Sequence, residues 1–328
     1  MGNYYNLPNI SPEVVENSNF NSNSNKPKVD FKKNYLNVKL ADDEQERIMT
    51  IRLLPMDLET GNPFVKVHFH TIKVPKDIFG VEWKSFVCLH KNKDIDHSRY
   101  GDKCPLCEMN SYAYQKAEKE EDKAKRDELI KLSCSYKTSE AIIVRCIERG
   151  KEDEGVKFWK FNLRDDKADP YHQMISLYNY RKEKCIEKGG EIENIFDLFN
   201  GRDLVIKLNH SKTAPVNISY DDERTPLSKD DDLMKKWIYD SKTWQEVFPV
   251  KDYNYISLVI QNKYPWYDRD NKVWVDREEF NAKKQGQIKE KDNEIKVAED
   301  RLKVDVTPKS DFEKAITIEE NNDDDLPF

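Results

Sequence analysis

Phe64-Val65-Lys66-Val67-His68-Phe69-His70 alternates apolar and polar side chains without a break. A period of two is that of a strand, so Val65, Val67 and Phe69 fall on one face and Lys66, His68 and His70 on the other. Short runs of the same kind lie on either side. Ile48–Leu54 precedes it, stopped by Pro55, with a turn at Glu59-Thr60-Gly61-Asn62-Pro63 between the two. Glu82–Leu89 follows. Ala141–Ile147 and Val156–Leu163 flank a turn at residues 150–155, and Asp203–Leu208 adds another strand. Residues 108–132 differ in kind: charged, Ala-rich, free of Gly and Pro, and helical in period. Ser228–Tyr239 reads as a helix with Ser228 or Asp230 as its N-cap. Tyr255–Ile260 and Val273–Val275 read as extended, pairing across the turn at 268–272. Many short strands with interspersed helices predict an α+β, β-rich domain, for which a small Greek-key barrel fits.

The chain has 328 residues, 37% hydrophobic and 36% charged, so part of it is expected to lie outside any packed core. Residues 1–28, rich in Asn, Ser and Pro, read as a flexible lead, and residues 29–276 as the core. Residues 277–305 read as a polar helical or disordered linker, and 306–328 as an acidic tail. The net charge of −7 is unevenly placed, because residues 307–328 hold seven acids against two lysines. The remainder is close to neutral, and a near-neutral body can still present a basic groove on one face. No basic-then-apolar leader begins the chain, and no run approaches the ~18 apolar residues of a membrane span. Asn6 stands where N-myristoylation at Gly2 would need Ser or Thr. The expectation is a soluble, cytoplasmic chain with no membrane contact.

Cys104-Pro105-Leu106-Cys107 is the strongest chemical signal in the body. Two thiolates separated by two residues can grip one tetrahedral Zn²⁺ from a tight turn, although a lone Cys-x-x-Cys is also compatible with a redox pair. Cys88 closes a strand upstream, and His70 closes another, which completes a Cys₃His set. His70 is preferred because the chain turns there; His68 shares its face and stays as the alternative. With four protein ligands the Zn²⁺, one ion, would be structural rather than catalytic. Cys134, Cys146 and Cys185 read as inert thiols.

The order Ile-Arg-Leu-Leu-Pro (51–55), Pro-Phe (63–64) followed by His, an aromatic strand ending in Cys88, the knuckle Cys104–Glu108, and Tyr136-Lys137-Thr138-Ser139 before an apolar strand forms a recognisable pattern. It resembles the zinc-containing single-stranded DNA-binding proteins of T-even-type phages. The resemblance covers about residues 45–165, with weaker similarity to about 260. It implies an OB-fold, a five-stranded Greek-key barrel with a zinc-stabilised subdomain (about residues 64–135) and disordered termini. It also implies zinc ligands at His70, Cys88, Cys104 and Cys107, and sequence-independent binding of single-stranded DNA. Spacing around Cys88 is longer than in that family, and the family's N-terminal Lys-Arg-Lys-Ser cooperativity motif is missing.

Sequence-blind binding of a single strand needs cations for phosphates and ring faces for bases, each stacked base contributing ~1–3 kcal/mol. Stacking candidates are Trp83, Phe86, Tyr136, Trp159 and Phe161, with a buried core strand as the competing reading of the last two. Phosphate candidates are Arg52, Lys66, Lys73, Lys84, Lys137 and Lys160. The final residues, Asp323-Asp324-Asp325-Leu326-Pro327-Phe328, resemble the recruiting tip of bacterial single-stranded DNA-binding proteins, which ends Asp-Asp-Asp-Ile-Pro-Phe. That tip implies partner proteins of replication, recombination or repair. Taken together, the expectation is a non-enzymatic protein that coats and protects single strands, in the host bacterial cytoplasm if phage-encoded. A zinc-containing nuclease or primase-like enzyme is the alternative, as is a zinc-knuckle adaptor. The enzyme would need clustered carboxylates or an open zinc position.

Overall fold

The structure, a computed structural model, describes residues 34–190, 192–211 and 215–285. The 1–28 lead, the linker beyond residue 285 and the 306–328 tail with its Asp323–Phe328 tip lie outside the described residues. Among those residues, no helix is long and apolar enough to cross a membrane.

One antiparallel sheet of seven strands organises the chain: β1 (Glu46–Leu54), β2 (Phe64–Lys73), β3 (Trp83–Val87), β4 (Thr138–Glu148), β5 (Lys157–Asn162), β6 (Leu204–Asn209) and β7 (Val216–Tyr220). The order is β3-β2-β4-β1-β6-β7, and β5 adds to β4. β4 changes partner along its length: Thr138–Val144 pairs with β2 and Arg145–Glu148 with β1. β1 does the same, running beside β6 up to Ile51 and beside β4 beyond it. The α+β, β-rich expectation therefore holds.

The sheet separates two apolar clusters, and the period of two assigns side chains to each. Ala141, Ile143 and Ile147 of β4 join Val67, Phe69 and Phe158 in the first cluster. Ile142, Val144 and Cys146 join Ile51, Leu53, Trp159, Phe161, Leu204 and Ile206 in the second. Each fully buried side chain of this size contributes about 1.5–3 kcal/mol, so β4, covered on both faces, is the centre of the fold.

The helical stretch read at 108–132 is two helices between β3 and β4. The longer of them follows two single turns, α1 (Lys76–Phe79) and α2 (His97–Tyr100). These helices are α3 (Pro105–Lys119) and α4 (Lys123–Ser135). Asp122 makes the break by accepting a hydrogen bond from the Lys125 amide, a capping contact that starts a new helix without Gly or Pro. The Asn110 amide, bonded to the Ser133 carbonyl and hydroxyl, ties the pair together. α5 (Pro170–Glu187) lies against β7, and the Tyr220 hydroxyl donates to the Met174 carbonyl.

After β7 come α6 (Asp231–Ile238), capped by Asp230, then α7 (Trp244–Val247) and α8 (Tyr253–Ile260). α8 corrects the extended reading of Tyr255–Ile260. Asp252 caps the helix by accepting from the Tyr255 amide, and Ile256 and Val259, three apart, are its buried residues. Val273–Val275 is extended as expected, but its partner is a different strand. β8 (Pro265–Asp268) pairs with β9 (Val273–Asp276) as a separate hairpin. Arg145 of β4 locks the C-terminal segment to the sheet. Its guanidinium donates to the carbonyls of Trp237 (2.6 Å), Ile238 (3.1 Å) and Asp240 (2.9 Å), satisfying acceptors that the end of α6 leaves open.

Candidate nucleic-acid interface and metal centre

The hairpin β2–β3 and the knuckle before α3 converge on four side chains: His70, Cys88, Cys104 and Cys107, whose ligand atoms all lie within 4.8 Å of one another. His70 Nε2 is 3.5 Å from the sulfurs of both Cys104 and Cys107, and Cys88 Sγ is 3.5 Å from Cys107 Sγ. Around a tetrahedral ion with bonds of about 2.0–2.3 Å, neighbouring ligand atoms stand roughly 3.5–3.8 Å apart. The donor set and its spacing fit a metal ion closed on all four sides by protein.

Local structure explains why these four meet. Cys104 is the N-cap of α3 and Pro105 its first residue, so the helix start holds Cys104 and Cys107 on one turn. Register pairs His70 with Phe86, which brings Cys88, just past the end of β3, alongside β2. The Cys88 amide donates to the His68 carbonyl, and Asn92 spans the same turn with bonds to the carbonyls of His68 and Cys88. The His70 ring donates from Nδ1 to the Tyr136 carbonyl at 2.7 Å, which turns Nε2 toward the sulfurs.

Burial opposes charging of the His70 ring, but hydrogen bonds and charge from Cys104 and Cys88 outweigh it and raise the pKa to about 9. Hydrogen bonds from Cys107 and Cys88 hold the Cys104 thiol below its ordinary range, against burial. Those to Cys104 and Cys88 push Cys107 up. The cluster thus gathers thiol and imidazole donors where a cation would meet them. His68 lies outside the cluster, 3.4 Å from the Glu140 carboxylate.

A cleft of about 240 Å³ opens between the sheet and the segment from α7 to α8. Its lining includes Phe69, Phe86, Phe248 and Tyr255 together with Lys84, Lys160 and Lys251. Each lysine sits over a ring: Lys160 is 4.1 Å from the Phe69 centroid, Lys84 is 4.8 Å from Phe79, and Lys251 is 4.9 Å from Tyr255. All three ammonium groups are held below the usual lysine range, first by burial. Lys251 adds to the effect on Lys84 and Lys39 to that on Lys160, while Asp252 works against it at Lys251. Half-dehydrated cations crowded together are short of negative charge, and a polyanion would supply it.

Of the residues singled out from sequence, Lys84, Phe86 and Lys160 meet in this cleft. Tyr136 and Lys137 line a different cavity of about 520 Å³, beside His70 and Cys107. Trp83 is 57% exposed at the start of β3. Lys66 and Lys73 are surface residues paired with Glu140 (2.6 Å) and Glu82 (3.0 Å).

Three expectations are corrected. Arg52, 1% exposed, is no phosphate contact, because its guanidinium is spent on Asp203 (3.1 Å) and the carbonyls of Asp197 and Thr225. Trp159, 2% exposed, and Phe161 are no stacking platform; their rings pack 4.6 Å apart within the second apolar cluster. The buried-strand reading of that face was the right one. Sequence reasoning missed Phe248, Lys251 and Tyr255. The Asp252 cap ahead of an apolar i, i+3 pattern would have marked α8 and brought Tyr255 into view.

A half-buried cleft that sets cations on ring faces, beside a closed thiol–imidazole cluster, defines a binding domain with a candidate metal centre. The family model described as "gp32 DNA binding protein like" matches residues 46–257, more than half of the chain. The chain belongs to this family of DNA-binding proteins, that of the T4 single-stranded DNA-binding protein. No curated protein matches it.

Proposed function

We propose that this chain binds single-stranded DNA without regard to sequence, with phosphates at Lys84, Lys160 and Lys251 and bases against Phe248 and Tyr255. The cleft is the observation that carries the reading: three cations short of counter-charge share one groove with four rings. Phosphate neutralisation supplies affinity independent of sequence, and rings accept any base face. Family membership supports the same ligand. The ion at His70, Cys88, Cys104 and Cys107 is Zn²⁺ in this reading, since three thiolates and an imidazole suit it and a closed set leaves no reactive position. Its role is to pin β2, β3 and α3 together along one wall of the cleft. The partner changes of β1 and β4 favour an OB-type barrel.

The wider role in this proposal is coating and protecting single strands during phage replication, recombination and repair. Asp323–Phe328, at the end of the acidic 306–328 segment, recruits partner enzymes. Sequence alone supports that part.

Titration of fluorescent oligo-dT and of duplex DNA at several salt concentrations tests the binding. The expected result is tight, salt-sensitive preference for the single strand, weakened by Lys160→Ala and Lys251→Ala. Equal affinity for duplex, or metal-dependent cleavage of the oligonucleotide, would overturn it.

A further inference from the structure

The β8–β9 hairpin starts at Pro265, beyond the last family-matched residue, 257, and it is unusually aromatic. Tyr264, Trp266 and Tyr267 are 40–44% exposed and consecutive but for one proline. Neighbours in a strand take opposite faces, so Tyr267 beside Trp274 presents one exposed ring surface, while Trp266, 6.2 Å from Phe280, lies on the other. The position of Tyr267 says what it contacts. Tyr255, which lines the cleft, meets Phe86 at 6.3 Å on one side and packs edge-on against Trp274 at 4.8 Å on the other. Trp274 is directly opposite Tyr267 across the hairpin, with centroids 5.1 Å apart. A file of rings therefore runs from the cleft floor through Tyr255 to the open face of Tyr267.

A second chain of contacts links the cleft to the hairpin. Lys84 of the cleft lies over Phe79, Phe79 stacks on Tyr264 at 6.1 Å, and Arg277 covers Tyr264 at 4.9 Å. The hairpin tip presents exposed Arg269 and Lys272. The platform is also stiff. Asp268 closes the turn by accepting from the amides of Asp270 (3.0 Å) and Asn271 (3.2 Å) and from the Asn271 side chain (2.7 Å). Lys263 bonds Glu279 at 2.5 Å and so ties the approach to the hairpin to the helix after β9.

We propose that the β8–β9 hairpin extends the strand-binding cleft, stacking on Tyr267 the bases that leave the cleft at Tyr255, with Arg269 and Lys272 taking the adjoining phosphates. The extension rests on the cleft's binding single-stranded DNA. It lengthens the site without altering chemistry in the cleft, so its signature is a dependence on oligonucleotide length.

Full-length protein and its Tyr267→Leu variant are titrated with oligo-dT from about 4 to about 16 nucleotides, the span of single-domain site sizes. Leu keeps the apolar packing on Trp274 and removes the ring; circular dichroism and melting confirm the fold. Expected is unchanged affinity for the shortest bound oligonucleotides and a loss of about ten-fold for longer ones, the worth of roughly one stacked base. The tip variant Arg269→Ala/Lys272→Ala, whose side chains are exposed, should shorten the length dependence in the same way and lower the salt slope. Superimposable length curves for wild type and both variants overturn the extension while leaving the cleft reading standing. Wild-type protein that binds no oligo-dT overturns the cleft reading, and the extension with it.

Discussion

A guanidinium at 1% exposure, such as Arg52, has given up its hydration and must recover it inside the protein. Asp203, held also by Arg149 at 2.8 Å, supplies the counter-charge. Gly201 supplies room, since a Cβ there would stand 2.9 Å from the Arg52 guanidinium and closer still to two backbone carbonyls. Arg52→Ala should therefore cost about 3–5 kcal/mol of stability, read from urea denaturation midpoints, with oligo-dT affinity of the folded protein unchanged. Trp159→Ala belongs to the same class, with a core-truncation cost of about 3–5 kcal/mol. Lys160 is the opposite case. Its ammonium is dehydrated over Phe69 with no matching carboxylate among the causes of its shift. Lys160→Ala should leave the melting temperature nearly unchanged and flatten the slope of log affinity against log salt by about 0.7. Period-two patterning placed Trp159 and Lys160 on opposite faces correctly. Which face was core depended on what packs against β5, and no local pattern records that.

At the scale of elements, the β2–β3 hairpin and the segment from α7 to α8 face each other across the cleft, and the knuckle meets that hairpin at the thiol–imidazole cluster. The knuckle was legible because Cys-x-x-Cys spacing expresses ligand geometry directly, and His70 and Cys88 stood at strand ends where ligands converge. Chelation of the ion proposed at this cluster should lower the melting temperature and speed amide exchange in β2, β3 and α3 more than in β6 and β7. Uniform exchange across the sheet after metal removal would count against a local role. α8 was misread because Tyr253–Ile260 is rich in aromatic and β-branched residues, which favour strands when taken singly. The Asp252 cap and tertiary burial of Ile256 and Val259 overrode that preference. Asp252→Ala should cost about 1 kcal/mol, measured by thermal melting, and weaken oligo-dT binding through displacement of Tyr255.

For the whole molecule the decisive quantity is where charge sits rather than its sum. A net charge of −7 coexists with a cleft whose lining includes three lysines and no acid. Because Lys84, Lys160 and Lys251 are held below their usual range when free, and phosphate favours their charged forms, the complex binds more protons than the free protein. Affinity for oligo-dT is thus full at neutral pH. It falls as pH rises through the lowered values, ahead of the ordinary lysine pKa of about 10.4. Constant affinity up to that pH would contradict the assignment. Deleting Asp323–Phe328 should leave oligo-dT affinity equal or higher, since the tip can only compete with DNA for a basic groove.

The sequence by itself determined the β-rich α+β class, the Cys₃His donor set and the likeness to a DNA-binding family. Each of these is written in short-range periodicity or in spacings that ligand chemistry makes diagnostic. Only the tertiary structure decided which cations and rings form a site. Arg52 and Lys84 are alike as letters, and the difference between a buried ion pair and an unpaired cation in a cleft arises from residues 151 to 173 positions away in the chain. Asp203 and Thr225 close over Arg52, whereas Lys251 and the ring of Phe248 leave Lys84 and Lys160 facing an open groove. Desolvation and partner charge are properties of three-dimensional surroundings, and these surroundings exist only once α8 and the sheet have packed together.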